Sequence, residues 1–86
     1  MNKLIKLGAD WCGPCKVMDS ILKDIDLKEF NITLESLNID QNKELAVKYN
    51  VKSIPFFALE DSEGNLLRTS IGSMSLKETR DFLVGT

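Results

Sequence analysis

Six consecutive residues, Trp11-Cys12-Gly13-Pro14-Cys15-Lys16, hold both cysteines of the chain and most of its reactive chemistry. Two thiols at this spacing can close a small disulfide ring, reopen it, or hold a metal. The residues that follow narrow the choice. Pro14 and Lys16-Val17-Met18 read as the opening turn of a helix, and Ile21, Leu22 and Ile25 continue one apolar face. Proline suits a first turn, because the N–H it lacks has no partner there in any case. Cys12 thus falls at the lip of a helix and Cys15 about one turn inside it.

Unbonded N–H groups and the macrodipole place partial positive charge at a helix N-terminus. A Cys12 thiolate gains from that charge and a neutral thiol does not, so its pKa falls below the roughly 8.5 of free cysteine. Lys16 adds a second positive influence. The reading predicts an exposed, acidic Cys12 and a sheltered, less acidic Cys15. In thiol–disulfide exchange the first attacks a substrate disulfide and the second resolves the mixed disulfide.

The remaining composition limits the alternatives. With 86 residues the chain reads as one domain, 1–86. Eleven basic residues against thirteen acidic leave a net charge of −2, with no basic footprint for nucleic acid or membrane. There is no histidine, and two thiols alone fall short of the four ligands a zinc site needs, so no metal and no cofactor are expected. No apolar run approaches a membrane span, and Met1–Leu7 is too short and too charged for a signal peptide. The expected location is the cytoplasm, where a cysteine pair is more often catalytic or metal-binding than structural.

Hydrophobic patterning supplies the elements that must hold this site. Residues 3–8 read as a strand, 13–28 as a helix and 31–39 as a second strand, a βαβ unit. Asp40 is a plausible N-cap for a helix over 41–49, which Asn50 ends in a left-handed conformation. Residues 54–60 and 66–71 read as an antiparallel hairpin turning at 61–65. A last helix over 76–84 opens with a Ser75–Glu78 capping box. The order is βαβαββα, one mixed sheet with helices against it.

Trp11-Cys12-Gly13-Pro14-Cys15-Lys16 resembles the active site of the thioredoxin family, and Ile54-Pro55 and the element order extend the likeness over nearly the whole chain. The resemblance implies an α/β thioredoxin-like fold with a four-stranded mixed sheet in the order 2-1-3-4 and three helices. It also implies protein-disulfide reduction through the Cys12–Cys15 pair. The expected partners are protein disulfides and an electron donor of the thioredoxin-reductase type, met by a monomer. Typical thioredoxins carry a further strand and helix before the first strand read here, so the chain is similar in size to glutaredoxins. A glutathione-coupled enzyme and a thioredoxin-shaped binding subunit are the alternative readings, although Gly13-Pro14 is not the Pro-aromatic pair usual in glutaredoxins.

The resemblance also assigns roles. Pattern alone makes Pro55 an ordinary strand-start proline. The family implies a cis bond there, with Ser53-Ile54 turned outward to pair with an extended peptide. Trp11 reads as a wall of the substrate groove, with Gly13 and Pro14 beside it. Gly72 reads as a contact surface where a side chain would obstruct the partner. Lys6 departs from the family, which usually holds a buried aspartate there, with a lysine partner at the position of Ser36. One reading has Lys6 snorkelling, its stem packed and its ammonium wet. The other has a partly buried amine that tunes Cys15.

Overall fold

The computed structural model describes residues 1–85. The elements are β1 (Asn2–Gly8), α1 (Gly13–Lys23), β2 (Ile32–Asn38), α2 (Lys43–Lys48), β3 (Phe56–Glu60), β4 (Leu66–Ile71) and α3 (Leu76–Val84), with single 3-10 turns at Leu27–Phe30 and Ile39–Gln41. The four strands form one sheet in the order β2-β1-β3-β4. β1 is parallel to β2 and antiparallel to β3, and β4 is antiparallel to β3. The order is the one the resemblance implied, and β3 and β4 form the antiparallel hairpin that their short link predicts.

Alternation along the two central strands divides the core. Leu4, Phe57 and Leu59 face one way and pack with Met18 and Leu22 of α1 and Leu83 of α3. Ile5, Leu7, Phe56 and Ala58 face the other way, with Leu45, Tyr49 and Val51 packed against them from the α2 side. β1 and β3 are covered on both faces and are apolar almost throughout. Two charged residues are buried in them: Glu60 at the end of β3, and Lys6 in the middle of β1, which shares the α1 face with Leu4 by strand periodicity.

Three elements differ from the sequence reading by two residues or more at an end. α1 stops at Lys23 rather than residue 28. The Asp26 carboxylate accepts the Lys28 amide and starts a separate 3-10 turn, while Ile25 is buried in the core. α2 is shorter than 41–49, and Asp40 does not cap it. Asp40 lies in the preceding 3-10 turn, where the Asn38 side chain accepts its amide at 2.7 Å. β3 begins at Phe56, two residues later than read, after a cis Ile54–Pro55 bond. Elsewhere the local chemistry is as expected. Asn50 has φ 54°, and the Ser75–Glu78 box is reciprocal, its two bonds 3.1 and 2.9 Å. At the hairpin turn the Asp61 carboxylate accepts the amides of Glu63 and Asn65, and these bonds, Asn65 first, hold its pKa below the usual range.

Candidate active site

The helix start predicted around the cysteines is present. Cys12 is the N-cap of α1, in extended conformation, with proline in the first turn. Its sulfur accepts the backbone N–H of Cys15 at 3.2 Å. An N–H aimed at that sulfur is the contact that favours a thiolate once the bond is reduced. The two cysteines are joined as a disulfide, with α-carbons 5.3 Å apart.

Exposure does not divide the two sulfurs as the sequence reading expected. In the disulfide form Cys12 is only 5% exposed and Cys15 2%. The helix start buries both, and what differs is the ground each one faces. Cys12 lines an open groove of about 550 Å³ with Trp11, Pro14, Ile39, Val51 and Ile54. Cys15 lines a separate polar cleft of about 280 Å³ with Lys6, Gly8, Asp10, Lys16 and Asp19.

On the groove side the structure brings together Trp11, Cys12, Gly13, Pro14, Ser53 and Ile54. Trp11 is 72% exposed, and its indole N–H reaches the Asp40 carboxylate at 3.5 Å. That contact is the part Asp40 takes in place of capping. Neither Ser53 nor Ile54 gives its backbone N–H or C=O to any partner among the described residues. Pro55 is fully buried beneath them, and its carbonyl accepts the Gly72 amide at 2.8 Å. Gly72 has φ 91°, a conformation that glycine adopts without strain, and a β-carbon there would meet open space. Neither Pro55 nor Gly72 lines the groove itself.

On the cleft side Lys6 does not snorkel. Its side chain is 4% exposed, and its ammonium lies 2.7 Å from a carboxylate oxygen of Asp19, which is 48% exposed. Taken along its own helix, Asp19 belongs to the polar face opposite the apolar stripe. It lies four residues after Cys15, so helix periodicity puts both on the same side of α1. Gly8 is the second residue that sequence reasoning missed. A β-carbon there would sit 3.1 Å from Cys15 Sγ and 3.3 Å from Lys6 Nζ. The strand alternation 4-6-8 was the available signal, since it aims Lys6 and Gly8 at the helix carrying Cys15.

The thioredoxin family model matches residues 1–84. The chain belongs to the thioredoxin family. It is 38% identical to the thioredoxin of Buchnera aphidicola subsp. Baizongia pistaciae (strain Bp) over 82 residues, covering 93% of this chain and 73% of that protein. The thioredoxin of Pseudomonas aeruginosa is 34% identical over 82 residues, with 93% and 74% covered. In fold the chain is similar to oxidised mitochondrial thioredoxin 3 of Saccharomyces cerevisiae, with a TM-score of 0.84 at 24% identity over 99% of this chain and 78% of that one. With its Cys12–Cys15 pair at disulfide distance, this thioredoxin-family chain is a thiol–disulfide oxidoreductase that reduces protein disulfides. No helix among the described residues is long and apolar enough to cross a membrane.

Proposed function

We propose that this chain works as a monomeric, single-domain protein-disulfide reductase of the cytoplasm. It takes substrate segments into the groove in front of Cys12 and is recharged by a donor of the thioredoxin-reductase type. Passing electrons in this way, it would serve redox homeostasis of the cell. The observation that carries the reading is the backbone of Ser53-Ile54, unpartnered at the rim of an apolar groove that ends on Cys12. An extended peptide gains main-chain bonds there, as an added strand does at a sheet edge.

In the reaction the Cys12 thiolate attacks one sulfur of the substrate disulfide, and the other leaves as a thiolate. Cys15 then attacks Cys12 Sγ, the bond to the substrate breaks, and the ring closes. The Cys15 amide and the α1 N-terminus favour the attacking thiolate, and Lys16 adds to them. Trp11, Gly13 and Pro14 form the wall against which the substrate lies. Gly72, which donates its amide to the Pro55 carbonyl and has open space where a side chain would be, would leave a partner's approach beside Pro55 unobstructed.

The test is insulin reduction by the purified chain, driven by a thioredoxin reductase or by glutathione in separate assays. The reading expects turnover with the reductase and little with glutathione alone. Cys12→Ser should abolish turnover. Cys15→Ser should arrest the reaction as a mixed disulfide visible on a non-reducing gel. Turnover with glutathione alone would transfer the chain to the glutaredoxin mode, and insulin reduction that survives Cys12→Ser would overturn the role of the pair.

A further inference from the structure

We propose that the Lys6 ammonium, oriented by Asp19, is a positioning group that holds the resolving thiol Cys15 toward its thiolate during exchange. This rests on the exchange function of the pair and adds to it the group that governs the second sulfur. Lys6 Nζ and Cys15 Sγ both lie within 3.3 Å of the point where a Gly8 β-carbon would be. Their separation is therefore no more than the sum of those two contacts, 3.1 and 3.3 Å, near enough for the ammonium's field to act on the sulfur. The absent side chain at Gly8 is what lets the charge and the sulfur face each other.

Four charged residues line the cleft. Lys6 comes from β1, Asp10 from the loop after it, and Lys16 and Asp19 from α1, while β2 contributes only the neutral Ser36, Leu37 and Asn38. Formal charges balance, but solvent does not treat them equally. The Asp19 carboxylate is half exposed and water screens it, whereas the Lys6 ammonium is almost wholly enclosed. A charge interacts more strongly through protein than through water. The field reaching Cys15 is therefore the ammonium's, reduced by Asp19 and not cancelled.

The step served is resolution of the mixed disulfide. The Cys15 proton passes to solvent through the cleft, and the sulfur pair attacks Cys12 Sγ. The bond from Cys12 to the substrate sulfur breaks, and that sulfur leaves with the electron pair and takes up a proton. The Cys pair is oxidised by two electrons and the substrate disulfide is reduced by two. A fixed ammonium beside Cys15 favours the state in which its sulfur bears negative charge.

The experiment uses the full chain carrying Cys12→Ser, so that Cys15 is the sole thiol, and follows its alkylation rate by iodoacetamide against pH. Lys6→Met should raise the midpoint by about one pH unit, a roughly tenfold weaker acid, and Lys6→Arg should restore most of it. Asp19→Asn should lower the midpoint, because the ammonium loses its neutralising partner. A merely structural pair would send Lys6→Met and Asp19→Asn the same way, since either breaks the contact. A midpoint that ignores Lys6→Met, or that moves the same way in both variants, overturns the proposal. Insulin reduction by the chain with both cysteines intact, measured alongside, tests the oxidoreductase reading separately.

Discussion

The two sides of the Cys12–Cys15 disulfide are built from opposite materials. In front of Cys12 lies a wide groove walled by Trp11, Pro14, Ile39, Val51 and Ile54, with Lys52 its one charged residue. Behind Cys15 lies a cleft half its size, with two cations and two anions. In the function proposed above, the front exchanges water for another chain's apolar surface and backbone. The back is too small and too polar for that, and suits handling a proton. One small ring thus separates an apolar groove from a charged cleft, and Cys12 and Cys15 differ by what they face rather than by how exposed they are.

Three substitutions probe that division, beginning with the largest effect. Gly8→Ala inserts a methyl group against Cys15 Sγ, Cys15 Cβ and Lys6 Nζ, all 3.1–3.3 Å away. Cys15 is pinned by its ring and Lys6 by Asp19, so neither yields easily. Overpacking of this kind costs about 1–3 kcal/mol, offset by the ~0.4–1 kcal/mol that alanine recovers from the unfolded chain. Thermal unfolding should show the net loss. Rapid mixing should show slower resolution with the first attack little changed. If the first attack slowed equally, the two sides would not be separate.

Trp11→Ala acts on the front alone. Removing an exposed aromatic that a substrate would cover costs about 1–2 kcal/mol of binding, which is roughly tenfold in KM for insulin. The Cys15 alkylation midpoint should not move. A shift there would mean that the groove and the cleft are electrostatically joined.

Tyr49→Phe touches neither side and sets the baseline. The Tyr49 hydroxyl donates to the Glu60 carboxylate, and its ring stacks on Phe56. Burial first, then the bond to Glu60 and its charge, push the phenol from its ordinary 10.0 up to about 12. A raised folded-state value favours the protonated form in the fold. Its stabilisation is therefore complete below pH 10 and is lost as pH rises toward 12. Urea unfolding across that interval should show the loss in the parent and a flatter profile in Tyr49→Phe. Exchange kinetics at neutral pH should be the same in both.

Some of this was legible before any coordinates. The spacing of the cysteines, Pro14 in the first helical turn, the Ser75–Glu78 box and Asn50 at its turn are local signals, and each element formed where its signal lay. The hairpin and the order of elements were equally plain. Boundaries failed where two local signals competed. Asp26 nucleated its own turn and cut α1 short, and Asn38 capped the chain ahead of Asp40. Exposure failed at Cys12 because being first in a helix says nothing about what packs around it. Lys6 stood out as a departure from the buried aspartate the family usually holds. Its partner was overlooked because Asp19, taken along its own helix, reads as solvent-facing.

By itself the sequence determined which sulfur caps the helix, which faces of the strands are apolar, and that Lys6 and Gly8 share a side of β1. These follow from periods of 3.6 and 2 and from backbone groups within a turn of each other. Only the tertiary structure decided that Asp19 reaches Lys6, that Gly8 leaves Cys15 facing an ammonium, and that the Ser53-Ile54 backbone borders the groove of Cys12. Those contacts join elements far apart in the chain. Their distances depend on how a helix lies across a sheet, which no local pattern specifies.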